Sequence, residues 1–294
     1  MIQRLKGVGV ALITPFCSDG KIDYTALEKL IEMQIENGTD YIVALGTTGE
    51  PATLTKEEKN SVLTFIIEKV AKRLPIVVGC GGNNTADVIA QAKEYEKING
   101  VDALLSVAPF YNKPNQNGVY AHFKALADSV NIPILLYNVP GRTGINISVD
   151  VVVRLANDCK NIIGIKEASG NVAMGMQLAH LCPSNFLLIS GDDAMTLPLI
   201  ACGFSGVISV LQNAYPRQFS SIVHKALDGK FEEARAEHYK FLAIIDSLFA
   251  EGSPSGVKAY LEQMGLVKNA VRLPLAPVSD TMYEKIKLLS SKVK

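Results

Sequence analysis

Eight short apolar runs recur along the chain: Gly7–Thr14, Tyr41–Gly46, Pro75–Gly79, Ala103–Ala108, Pro133–Asn138, Ile162–Lys166, Phe186–Ser190 and Gly206–Val210. Runs of this length without alternation are what parallel strands look like when helices cover them. Helical spacing fills the gaps. Asp23 to Asn37 places Leu27, Leu30, Ile31 and Ile35 on one face and ends at Gly38, a helix-stop signal. Thr55-Lys56-Glu57-Glu58 has the spacing of a capping box and opens a helix through Val62, Ile66 and Val70. Asn84–Ile98, Gln116–Val130, Ser148–Cys159 and Asn171–Leu181 continue the alternation. Successive strands start roughly 20–35 residues apart, the size of one βαβ unit.

Eight such repeats predict an α/β protein of the (β/α)₈ TIM barrel type, with a C-terminal helical extension. An open doubly wound sheet usually has only five or six strands in one domain. After the eighth strand, Pro216–Asp228, Phe231–Phe249, Ser255–Met264 and Thr281–Val293 are helical in pattern. One helix is needed to complete the barrel, so residues 1–228 form the expected catalytic barrel and 229–294 a helical appendage. The Gly252–Gly256 break is the expected hinge within that appendage.

Composition narrows the function classes. With 29 basic and 29 acidic side chains the net charge is zero, which leaves no electrostatic footprint for nucleic acid or an acidic membrane surface. No apolar run approaches the ~20 residues of a membrane helix. The apolar stretch after Arg4 and Lys6 reads as a first buried strand, since it ends at Thr14-Pro15 without the small-residue cleavage site of a signal peptide. Five scattered cysteines with no Cys-x-x-Cys pair point to reduced thiols and a cytoplasmic location. All four histidines fall on expected helices without metal-ligand spacing, and Gly79-Cys80-Gly81-Gly82-Asn83-Asn84 fails the dinucleotide fingerprint at its last position. Lys230–Arg235 reads as a solvated helix face.

In a barrel, chemistry belongs at the C-terminal ends of the strands. Lys166 ends the sixth run, and alternation puts Gly164, Lys166 and Ala168 on one face with Ile163, Ile165 and Glu167 on the other. Desolvation there would push the amine pKa down and free a neutral nucleophile for imine formation with a carbonyl. A purely structural lysine would instead pair with Glu167 or Asp192. Tyr137, one strand earlier, is placed to move protons, or else is a core tyrosine with a satisfied hydroxyl. Thr47 and Thr48 offer hydroxyls and amides suited to a carboxylate, though they also suit an ordinary turn. Arg142 presents a fork that matches a carboxylate, or simply sits in solvent.

Gly46-Thr47-Thr48-Gly49-Glu50, Tyr137-Asn138-Val139-Pro140-Gly141-Arg142-Thr143-Gly144 and Gly164-Ile165-Lys166-Glu167-Ala168-Ser169-Gly170 resemble the signatures of the dihydrodipicolinate synthase family, among the pyruvate-dependent class I aldolases. The similarity runs from Gly9 to the C-terminal helices. It implies a lyase that condenses pyruvate with L-aspartate 4-semialdehyde, the first committed step of diaminopimelate and lysine biosynthesis. By resemblance, Lys166 forms the Schiff base and Tyr137 is proton donor and acceptor, with Thr47 and Tyr111 completing a hydroxyl relay. Thr48 holds the pyruvate carboxylate, Ile208 lies at the pyruvate end, and Arg142 receives the second substrate. Tyr111 would reach in from a neighbouring subunit, so a homotetramer, a dimer of dimers, is implied. No metal or organic cofactor is implied.

N-acetylneuraminate lyases and 2-keto-3-deoxy-sugar aldolases are related alternatives, disfavoured because sialic-acid lyases usually lack the arginine. A non-catalytic keto-acid-binding barrel would not need the proton relay. At the family's lysine feedback site this chain has Pro51, Lys56, Lys59 and Phe110, beside Asn83 and Asp87. Two cations and a missing hydroxyl predict weak or absent inhibition by lysine. Ser253-Pro254-Ser255-Gly256 departs from the family's usual Asn-Pro-x-Pro.

Overall fold

The computed structural model describes residues 2–293. Eight parallel strands pair in sequence order and close into a barrel: β1 (Gly7–Ala11), β2 (Tyr41–Ala44), β3 (Ile76–Gly79), β4 (Ala103–Val107), β5 (Ile134–Asn138), β6 (Ile162–Glu167), β7 (Leu187–Ser190) and β8 (Gly206–Ser209). Closure comes from β1 against β8, with Gly7 opposite Gly206. A Cβ on Gly206 would lie 1.8 Å from the Gly7 carbonyl oxygen, so only glycine admits this pairing.

The helices are α1 (Tyr24–Glu36), α2 (Lys56–Val70), α3 (Thr85–Glu96), α4 (Gln116–Ser129), the single turn α5 (Pro140–Thr143), α6 (Val149–Asp158), α7 (Val172–Leu181), α8 (Thr196–Ala201), α9 (Pro216–Leu227), α10 (Phe231–His238), α11 (Leu242–Phe249), α12 (Ser255–Gln263) and α13 (Asp280–Ser290). Their starts follow local chemistry. Asp23, Asn84, Asn115, Ser148, Asn171 and Ser279 each accept a hydrogen bond from a first-turn amide. The Thr55–Glu58 capping box is complete in both directions.

Two apolar layers result. The outer one joins strands to helices through residues such as Ile42, Val78, Leu104 and Ile165. The inner one fills the barrel with Tyr41, Val77, Leu105, Leu135, Ile189 and Ile208, and Leu5 from the N-terminal turn completes this inner cluster.

Four expectations need correction. Ile163 packs in the inner layer, because the β5–β6 register shifts between Ile134 and Leu135 and displaces one residue from strict alternation. The helix expected over Phe231–Phe249 is interrupted by a 3₁₀ turn at Tyr239–Phe241, which buries Phe241 against Tyr215 with ring centroids 5.2 Å apart. The crossover helix after β7, absent from the sequence reading, is the six-residue α8. Finally, Ser253, Pro254, Ser255 and Gly256 are buried, so the break between α11 and α12 is a packed joint and not an open hinge. A Cβ on Gly256 would meet the Leu248 carbonyl oxygen at 2.4 Å.

Candidate active site

β6 carries Lys166 to the C-terminal rim of the barrel, in register with Tyr137 on β5 and Ile189 on β7. Lys166 is only 6% exposed, as is Tyr137. Its Nζ lies 4.5 Å from the centre of the Tyr137 ring. Gly191, just past β7, makes room for the long stem: a Cβ there would stand 2.9 Å from Lys166 Cε and 2.5 Å from Ala168 Cβ. The carboxylates that would make this a structural lysine are engaged elsewhere. Glu167 accepts from Asn138 Nδ2 at 2.7 Å and from the Ser169 amide at 2.6 Å. Asp192 Oδ1 accepts from the amides of Ala194 and Met195 at 2.9 and 3.1 Å.

After β2 the chain tightens into a 3₁₀ turn over Thr47–Gly49, with Thr47 exposed and Thr48 buried. The Gly49 amide closes the turn on the Gly46 carbonyl at 2.8 Å, and Thr14 Oγ1 donates to the Gly49 carbonyl at 2.7 Å. Entry into the turn forces Leu45 to φ 54°, and Gly79 makes this possible, since a Cβ there would lie 2.1 Å from the Leu45 carbonyl oxygen. Arg142 sits on α5 at the lip, exposed, with Nη2 3.5 Å from the Ser253 carbonyl.

A cavity of about 580 Å³ opens at this rim; Thr47, Tyr137 and Arg142 line it, whereas Lys166, with its amine against the Tyr137 ring, is not among the lining residues. Leu105, Val107 and Val139 form apolar walls, while Ser253, Pro274 and Leu275 contribute from the C-terminal region. Cys80, Gln91 and Tyr95 extend it between β3 and α3, and burial pushes the Cys80 thiol and the Tyr95 phenol each up to about 12. Thr48 and Ile208 are buried, the latter in the inner barrel layer. Tyr111 is not brought to the cavity within one chain: it is 87% exposed, at φ 72°, beside the exposed Phe110.

A smaller cavity of about 280 Å³ adjoins α2 and α3, lined by Lys56, Lys59, Asp87, Gln91, Glu94 and Tyr95. Lys56 Nζ lies 2.7 Å from Glu94 Oε1, which raises the amine pKa. The repulsion expected from two cations therefore rests on Lys59 alone, a correction the sequence could not supply because Glu94 is far from Lys56 along the chain.

Sequence reasoning also missed a charged group beneath the Thr47 turn. Glu50 follows it in the left-handed conformation and is buried, with Oε1 2.5 Å from the Nζ of Lys258. Lys258 is fully buried on α12, and desolvation lowers its amine to about 8 against the opposing pull of Glu50. The available signal was a lysine inside Val257-Lys258-Ala259-Tyr260-Leu261, a run with little other polarity. Among the described residues no cluster of three or more His, Cys, Asp or Glu is arranged to hold a metal, and no helix is long and apolar enough to cross a membrane.

A model of the dihydrodipicolinate synthetase family matches residues 4–292. A 4-hydroxy-tetrahydrodipicolinate synthase of Phocaeicola vulgatus is 50% identical, covering 100% of this chain and 99% of its own. The solved 4-hydroxy-tetrahydrodipicolinate synthase of Methylacidiphilum fumariolicum SolV superposes with a TM-score of 0.95 at 46% identity, over 98% of this chain and 95% of that one. A monomeric dihydrodipicolinate synthase variant superposes with a TM-score of 0.96 at 36% identity, over 100% and 99%.

Proposed function

This chain belongs to the dihydrodipicolinate synthetase family, and from that premise we propose that it is a 4-hydroxy-tetrahydrodipicolinate synthase, a lyase of the class I aldolase type. The observation that carries this reading is the buried Lys166 amine, in register with Tyr137 at the rim of an apolar barrel. Lys166 attacks the keto carbon of pyruvate and water leaves, giving an iminium. Loss of a methyl proton gives the enamine, whose carbon attacks the aldehyde of aspartate semialdehyde. The aldehyde's own amine then closes on the imine carbon and expels Lys166, so that one water is released for each cyclic product.

Tyr137 moves protons at these steps, with Thr47 within the same cavity wall. Thr48 and its turn hold the pyruvate carboxylate, and Ile208 bounds the pyruvate end. Arg142 at the lip takes the carboxylate of the second substrate, a role suited to its fork geometry. No cofactor enters any step. Tyr111 completes the proton relay in a neighbouring subunit of a homotetramer. Its exposure and left-handed backbone, next to a Phe110 that is itself 39% exposed, support a partner-facing role. The catalytic barrel takes residues 1–228 and the helical appendage 229–294, in a cytoplasmic enzyme.

The test is borohydride reduction with pyruvate, followed by mass analysis of the Lys166 peptide and turnover with aspartate semialdehyde against N-acetylneuraminate. An adduct on Lys166 with preference for the semialdehyde is expected; no adduct refutes the reading.

A further inference from the structure

Glu50 stands in the cavity wall with its carboxylate turned to Lys258, which lies outside the cavity, and the pair holds one end of the Thr47 turn. The Glu50 amide donates to the Thr47 carbonyl at 3.2 Å, so Glu50 is the terminal residue of the hydroxyl turn. Its backbone is left-handed, at φ 54° and ψ 40°, a conformation that a residue with a Cβ keeps only when its surroundings over-determine it. The surroundings are supplied by the C-terminal region. Lys258 Nζ donates to Glu50 Oε1 and, at 2.8 Å, to the Ala270 carbonyl. The Arg272 amide donates to Glu50 Oε2 at 3.2 Å.

Arg272 extends the hold. Its guanidinium donates to both oxygens of Glu58 at 2.6 and 2.7 Å, and to the carbonyls of Thr53 and Gly20. Both cations stand over the Phe16 ring, at 4.1 Å for Lys258 and 4.6 Å for Arg272. From the opposite side Thr14 grips Gly49. A buried ion pair is rarely the most stabilising way to fill a site, but removing one partner is strongly felt, so such a pair is suited to imposing one geometry.

We propose that Glu50 and Lys258 are positioning residues, through which the C-terminal appendage sets the shape of the Thr47–Thr48 turn and hence the affinity for the keto acid. This rests on the reaction proposed above. Lys258 does not line the cavity, and both carboxylate oxygens of Glu50 are taken up by Lys258 and the Arg272 amide, so each acts through the turn.

The experiment uses the full-length chain with both charges removed, Glu50→Gln with Lys258→Met, since Lys258→Met alone strands a buried carboxylate and risks misfolding. Circular dichroism confirms a folded barrel, and three readouts follow. The KM for pyruvate is expected to rise about tenfold or more, with kcat changing by less than about threefold. Amides of residues 47–50 are expected to exchange with deuterium at least about tenfold faster. In a Thr48→Ala background, the same pair of changes is expected to add little to KM, because the two act on one interaction. Unchanged exchange at residues 47–50, or KM effects that multiply independently of Thr48→Ala, overturns the proposal. Wild-type protein that forms no pyruvate adduct refutes the reaction instead, and hydrogen exchange then still decides whether the pair clamps the turn.

Discussion

Replacing Gly191 by alanine tests whether the reactive lysine is held in a slot with no slack. The added methyl would stand 2.5 Å from Ala168 Cβ, 2.9 Å from Lys166 Cε and 3.1 Å from Lys166 Cγ. Carbon atoms in contact prefer about 3.5–4.0 Å, so one of these groups must move by roughly 0.6–1 Å. The glycine itself cannot easily retreat, because its amide donates to the carbonyl of Glu167, on the lysine's own strand, at 2.7 Å. Ala168 is fixed likewise, its amide bonded to the Asn138 carbonyl at 2.9 Å. The lysine stem is the softest of the three and should absorb the shift. Overpacking of this kind destabilises by about 1–3 kcal/mol. A 1 Å displacement of a reacting group costs about 100-fold in rate, or about 2.7 kcal/mol of barrier. Gly191→Ala should therefore lower the thermal midpoint modestly while slowing borohydride-trapped adduct formation with pyruvate by about 10- to 100-fold. Adduct formation at the wild-type rate with an unchanged midpoint would show that the slot is loose and the reasoning wrong.

Tyr137→Phe keeps the apolar ring beside Lys166 and removes only the hydroxyl, so the barrel should fold normally while turnover falls by about 10²–10⁴-fold; steady-state kinetics with near wild-type turnover would exclude it as the proton-transfer group. Glu58 is held down to about 2, chiefly by its hydrogen bonds with Arg272. Because its folded-state pKa lies below the unfolded value, the stabilisation is present above about pH 4.5 and is lost as pH falls toward 2. With the two side chains 29% and 21% exposed, solvent screening limits it to about 1–3 kcal/mol. Urea midpoints of wild type and Glu58→Gln should differ at pH 7 and converge near pH 2–3, and a gap independent of pH would contradict this. Free lysine below 1 mM, the concentration matching about 4 kcal/mol of binding, should leave activity nearly unchanged, because Lys59 faces the smaller cavity and Phe110 has no hydroxyl; strong inhibition in that range refutes it.

The strands were legible because burial on both faces leaves a simple mark, an uninterrupted apolar run; the structure trims seven of the eight by at most a few residues and extends the sixth by one, to Glu167. Lys166 was legible for the opposite reason: a charge at the end of such a run conflicts with its surroundings. What stayed hidden depends on neighbours distant in sequence. Ile163 faces inward because of a register shift against β5, which no single-strand pattern contains. α8 is six residues long and carries Pro198, too short for a helical period to register. Gly191 reads as a loop glycine until the lysine stem is seen to occupy the space its side chain would need. Lys258 is visible as a lysine in an apolar run, but its partner Glu50, 208 positions away, is visible only in the fold.

The Glu50–Lys258 contact joins residues 208 positions apart, and that separation sets an order of events during synthesis. At about 5–20 residues per second, some 10–40 seconds pass between translation of the carboxylate and arrival of its counter-charge. Throughout that interval Glu50 lacks both Lys258 and the Arg272 amide, the two groups that hold its carboxylate in the folded protein. A nascent chain that has already paired all eight strands therefore still lacks the counter-charge of Glu50, which arrives only with the helices that follow the barrel.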